Sequence, residues 1–128
     1  MSKEAIQTSS APAAVGPYSQ AIRSSHLIFL SGQIGIDPTT GQVVEGGVLA
    51  QARRIFKNIA AVLGEAGADL SHIVKATVFL KDMADFKGVN EVYAQHFDPP
   101  YPARSAVAVK ELPLGVDIEI EVIASLAG

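Results

Sequence analysis

The chain has 128 residues, enough to bury a real core, and its 48% apolar content is of globular rather than disordered type. Its 10 Lys and Arg against 13 Asp and Glu leave a net charge of −3, which counts against a nucleic-acid-binding face. Cysteine is absent, which excludes disulfides, thiolate catalysis and cysteine-ligated metal and fits the reducing conditions of a cytoplasmic protein.

No apolar run reaches the ~20 residues that a membrane helix needs, and Met1-Ser2-Lys3-Glu4-Ala5-Ile6 has none of the apolar core of a secretory signal. Residues 1–16 read as loosely structured, with the small, turn-prone Ser9-Ser10-Ala11-Pro12-Ala13-Ala14. Gly16-Pro17-Tyr18 fixes a corner and projects a phenol. Tyr18 to Arg23 reads as a first strand and His26 to Leu30 as a buried second one, and the short gap between them predicts an antiparallel hairpin. That second run stops at Ser31-Gly32-Gln33, where Gly32 and then Gly35 allow the backbone a close approach to a ligand. Asp37-Pro38-Thr39-Thr40-Gly41 is a turn and Gln42-Val43-Val44 a brief extended piece.

Val48 to Ala66 carries the clearest helical period, with Val48, Ala52, Ile55, Phe56, Ile59, Val62, Leu63 and Ala66 on one stripe. Gln51, Arg54, Asn58 and Glu65 fall mostly outside it, and Gly67 suits the left-handed position that ends a helix. Ile73 to Leu80 is an apolar strand with Lys75 and Thr77 on one face, and the strand–helix–strand order predicts a crossover. Asp82 caps a second helix that runs to about Phe97, with Phe86, Val89, Tyr93 and Phe97 as its stripe. Asn90 falls inside that stripe, either as a hydrogen-bonded core amide or as part of a site.

Pro99, Pro100 and Pro102 then break the chain ahead of a strand, Ala103 to Val109. Alternation puts Arg104, Ala106 and Ala108 on one face of it, a guanidinium beside two methyl groups. Two readings stay open there: an edge-strand Arg in solvent, or a planar fork matched to a carboxylate. Lys110 to Val116 reads as a hairpin loop, and Asp117 to Ser125 as the last strand, with Ile118, Ile120, Val122 and Ala124 opposite Glu119 and Glu121. Pairing of the two strands across that loop would bring Arg104 onto the face of Glu119 and Glu121. With the helices on the other face, this one is expected to pack against further copies in a closed oligomer, with ligand clefts between chains.

Metal and nucleophile motifs are missing. His26, His72 and His96 are far apart in unlike contexts, so they read as surface or capping residues rather than metal ligands. No Walker, dinucleotide-binding or nucleophile-elbow glycine pattern occurs.

The chain resembles the YjgF/RidA family of reactive-intermediate deaminases, whose members include proteins labelled L-PSP endoribonucleases. Ala13-Ala14-Val15-Gly16-Pro17-Tyr18, Ser31-Gly32-Gln33-Ile34, Val74 to Asp82, Asp85-Phe86, Val89-Asn90, Pro102-Ala103-Arg104-Ser105 and Ile118-Glu119-Ile120-Glu121 carry the resemblance in the family's order over nearly the whole chain. It implies one domain over residues 1–128 with a chorismate-mutase-like α+β fold: a mixed, mostly antiparallel sheet, two helices on one face, and assembly as a homotrimer with intersubunit clefts. It also implies hydrolysis of 2-aminoacrylate-type enamines and their 2-imino tautomers to 2-keto acids and ammonia, without cofactor or metal. By the same resemblance Arg104 holds the substrate carboxylate and Glu119 stands near the attacking water. Tyr18, Ser31, Gly32, Asn90 and Ala106 fall at further cleft positions. Many members have Cys where this chain has Ala106, and the segment from Asn90 to Arg104 is short beside some of them. Two rival readings are a keto-acid-binding regulatory trimer without turnover and a ribonuclease or translation inhibitor; the acidic balance counts against the last.

Overall fold

The computed structural model describes residues 3–127. Among the described residues eight strands are present: β1 (Glu4–Ile6), β2 (Ala21–Ser24), β3 (Leu27–Leu30), β4 (Ile36–Asp37), β5 (Gln42–Val43), β6 (Ile73–Leu80), β7 (Ala103–Ala108) and β8 (Ile118–Ser125). Two α-helices, α1 (Gly47–Glu65) and α2 (Phe86–Ala94), complete an α+β fold. The main sheet has the order β1-β2-β3-β8-β6-β7, and β4 and β5 form a separate small pair. Every neighbouring pair in the main sheet is antiparallel except β6–β7. A parallel pair needs a crossover, and α2 supplies it.

The helices cover one face. On α1, Ile55, Phe56, Ile59, Val62 and Leu63 are at most 1% exposed and meet Ile28, Val78, Leu80, Ile118 and Ile120 of the sheet, which are as well buried. Each such side chain contributes about 1.5–3 kcal/mol by leaving water, so this layer is the main support of the fold. The predicted stripe of α1 is therefore the packed one, but it is wider than the apolar residues alone indicate. Gln51 and Asn58, expected outside it, are buried. Both ends of each amide are hydrogen-bonded. Asn58 Nδ2 donates to the carbonyls of Ile34 and Ile36 at 3.3 and 3.0 Å, and its Oδ1 accepts from Arg54 Nε. Gln51 Nε2 donates to Asp117 Oδ2 at 3.1 Å, while its Oε1 accepts from the Asp117 N–H at 2.9 Å. A Cβ on Gly35 would stand 2.8 Å from the Gln51 Cα, so only glycine lets this loop lie so close against α1.

Several expectations need correction. The N-terminal segment is not loose throughout: β1 pairs with β2, and the first predicted strand shrinks to Ala21–Ser24. Buried Gln20 ties down what lies between. Its Oε1 accepts from the Thr8 N–H at 2.7 Å, and its Nε2 donates to the carbonyls of Thr8 and Pro12. The second helix ends at Ala94, short of Phe97. The largest correction concerns β7 and β8, which do not pair. β6 lies between them, with Val78 opposite both Ala106 and Ile120. Residues 109–117 therefore carry the chain across β6 rather than closing a hairpin. Arg104 sits opposite buried Ala76, on the helix-covered face, as does Ala106. Ser105 and Val107 share the open face with Thr77, Phe79, Glu119 and Glu121.

Candidate active site

The residues expected at the site form two groups, one on each side of the sheet. The first is built on α2 and the edge strand β7. Arg104 projects beneath α2, and its Nη1 donates to Asn90 Oδ1 at 2.6 Å. Its Cζ lies 4.7 Å from the centre of the Tyr93 ring and 5.2 Å from that of Phe86. Phe86, Asn90 and Tyr93 are at i, i+4 and i+7, so one side of α2 presents all three to the guanidinium. Asn90 is exposed rather than a core amide. The helical stripe tilts enough for Val89, Val92 and Tyr93 to take the buried positions. A hollow of about 430 Å³ adjoins the guanidinium, lined by Asn90, Tyr93, Ala94, Tyr101, Pro102 and Arg104. Ala106 is two residues further along β7, half-buried against the core.

The second group lies where β3 runs on beside β8. Gln33 and Ile120 exchange both backbone hydrogen bonds, at 2.8 and 3.0 Å, and beside this bridge the Glu119 side chain reaches across to Gly32. A Cβ on Gly32 would collide with the Glu119 carboxyl, whose Cδ would stand 2.9 Å away. The glycine is there to make room for that carboxylate. Burial, with the like charge of Glu121 adding to it, raises the Glu119 pKa above the ordinary glutamate value. Ser31 uses its hydroxyl structurally, donating to the Ser19 carbonyl at 2.6 Å. Tyr18 follows the Gly16 corner, 53% exposed, and its hydroxyl accepts from the Val15 N–H at 3.3 Å. It borders a hollow of about 480 Å³ that the N-terminal segment lines.

The structure thus joins Arg104 to Asn90 and Glu119 to Gly32, and separates the pairs by the thickness of the sheet. The reading of the sequence missed Tyr93, Gln51 and Gln20 as supports. Their signal was position: an aromatic one turn beyond Asn90, and amides next to apolar stripe positions. Two of the three histidines serve structure. His72 Nδ1 accepts from the Asp69 N–H in a reciprocal cap, and His96 stacks on Phe56 at 4.3 Å. Among the described residues no group of His, Cys, Asp or Glu is arranged to hold a metal ion, and no helix is long and apolar enough to cross a membrane.

This frame is shared. The family model described as Endoribonuclease L-PSP matches residues 8–126. The chain is 52% identical to a RutC family protein of Pyrococcus abyssi over 97% of its own length and 98% of that protein's. It is 48% identical to the human 2-iminobutanoate/2-iminopropanoate deaminase, covering 95% of this chain and 89% of that one. Among solved structures, a Rid protein of Yersinia pestis superposes with a TM-score of 0.95 at 46% identity, covering 98% of this chain and all of that one. E. coli TdcF with bound serine superposes at 0.90 and 43% identity, covering 95% and 98%. The chain belongs to the endoribonuclease L-PSP family, also called YjgF/RidA, and its fold is that of the family's crystal structures.

Proposed function

We propose that this protein is a 2-iminobutanoate/2-iminopropanoate deaminase, which hydrolyses short 2-imino acids and their enamine tautomers to 2-keto acids and ammonia. The observation that carries the reading is the guanidinium of Arg104, held at one corner by Asn90 and across its plane by Tyr93 and Phe86. A fixed planar fork beside a hollow is suited to a small α-carboxylate. Relatives of mouse, goat and human bear the deaminase name at 48–50% identity. Serine, the molecule bound in the E. coli relative, carries the same carboxylate.

Arg104 and Glu119 cannot meet within one protomer, because they project from opposite faces of the sheet. The proposed site is therefore shared, with Arg104 from one copy and Glu119, Gly32 and Tyr18 from the next, in the family's homotrimer. Two features favour such contacts: the unpaired outer edge of β7, and the open face with Phe29 41% and Val107 44% exposed.

The chemistry asks little beyond positioning. Arg104 fixes the carboxylate and so orients the electrophilic imine carbon. Glu119 takes a proton from water as the water oxygen bonds to the carbon of the protonated imine, giving a neutral carbinolamine. Glu119 passes that proton to the nitrogen, and as the C–N bond breaks and ammonia leaves, the hydroxyl proton returns to Glu119 and the C=O forms. A coupled assay tests this: an amino acid eliminated by a pyridoxal enzyme supplies the imine, and ammonia release is followed. Faster release with the wild type and none above background with Arg104→Ala supports the reading. Release that Arg104→Ala accelerates as well as the wild type contradicts it, and saturable 2-oxobutanoate binding without acceleration favours a regulatory trimer.

A further inference from the structure

Tyr93 is 5% exposed, and its ring is wedged by two others, Phe97 at 4.6 Å and Phe56 at 6.0 Å. Its hydroxyl is buried without a hydrogen-bond partner. An orphaned hydroxyl gains nothing from its place, so the useful part of this side chain is the ring. The guanidinium carbon of Arg104 lies over that ring at 4.7 Å, closer than over the half-buried Phe86 at 5.2 Å. The two contacts differ in kind. Phe86 sits at the start of α2, near the surface, whereas the face of Tyr93 is set by the core behind it.

We infer that Tyr93 is a positioning residue: the negative face of its buried ring fixes the plane of the Arg104 guanidinium, and so the direction in which the fork meets a carboxylate. This rests on the proposed carboxylate-binding role of Arg104. Asn90 fixes one corner of a planar group, which leaves it free to swing about that hydrogen bond. A ring face against the plane removes the swing. The attraction is electrostatic, between a cation and the ring quadrupole, so it depends on the electrons of the ring rather than on its shape.

That dependence gives a test which a merely space-filling role would not pass. Tyr93 is replaced by phenylalanine and by mono-, di- and trifluorinated phenylalanines, which keep the ring but progressively weaken its negative face. Affinity for 2-oxobutanoate is measured by calorimetry, and imine turnover beside it. Tyr93→Phe is expected to bind within about twofold of the wild type, and the trifluorinated ring about five- to tenfold more weakly. Intermediate losses should follow fluorine number, with KM rising more than kcat falls. Equal affinity across the fluorinated series overturns the inference, as does a loss in Tyr93→Phe as large as in the trifluorinated protein. If the wild type binds 2-oxobutanoate and Arg104→Ala does not, a flat series removes the role of Tyr93 alone. Wild type that fails to bind removes the carboxylate reading and this role with it.

Discussion

Arg104 and Asn90, 14 residues apart in the chain, meet through a 2.6 Å hydrogen bond from the guanidinium Nη1 to the amide Oδ1. An amide is a neutral acceptor: it orients the cation without cancelling its charge. Asn90→Ala should raise KM for a 2-imino acid by about tenfold, the scale of a hydrogen bond to a charged group. Asn90→Asp should do worse than Asn90→Ala, because a carboxylate would occupy the fork that the substrate needs. Steady-state kinetics on both variants check the order.

Gly32 leaves the space that the Glu119 carboxyl fills. In Gly32→Ala the new methyl displaces the end of a flexible side chain rather than backbone, so folding should survive. Turnover should fall at least about tenfold, since a group 1 Å out of place costs up to about a hundredfold. Thermal melting and kcat, measured together, separate the two effects.

Burial and then Glu121 raise the pKa of Glu119. In its proposed role as base it must be ionised, so the acid limb of kcat/KM should lie above the ordinary glutamate value rather than at it. The linkage has a definite sign. The folded protein binds this proton more tightly than the unfolded chain does, so stability falls as pH climbs from the ordinary value through the raised one. Glu119→Gln should therefore melt higher than wild type at neutral pH while losing about a hundredfold or more in turnover. A melting series from acid to neutral pH, with the two proteins converging at the acid end, is the check.

Asn58 ties the segment after Gly32 to α1 through the carbonyls of Ile34 and Ile36. Asn58→Ala removes this partner from both part-buried carbonyls, at about 1–3 kcal/mol each at most, although the Ile34 carbonyl keeps the Ile36 N–H. We expect a destabilisation of about 2–4 kcal/mol by denaturant unfolding, larger than that of Arg54→Ala, which leaves those two bonds intact.

Hydrophobic period made most of the fold legible. The eight residues from Ile73 to Leu80 and the stripe of α1 were readable because each buries one face, and burial writes its period into the sequence. Strand pairing was not. A loop of a few residues between Val109 and Asp117 reads as a hairpin, and nothing local reveals that the better partner for both strands is β6. A hairpin there would put Arg104 on the open face, whereas pairing with β6 puts it on the helix-covered one. Glu4–Ile6 was invisible because a three-residue edge strand has no period to show. Asn58 and Gln51 were misplaced because a buried amide looks like a surface one until its partners are known.

The proposed site is divided, with Arg104 supplied by one copy of the chain and Glu119 by the next. Mixing two inactive variants tests it most directly. Arg104→Ala and Glu119→Gln are each purified, then combined one to one by reversible dissociation or co-expression. In a closed trimer with sites at the interfaces, random mixing rebuilds both groups at about a quarter of the sites. Imine hydrolysis near that fraction of wild type is expected from two proteins that have almost none alone. Mixed trimers, verified by mass, with activity no higher than either parent would contradict it.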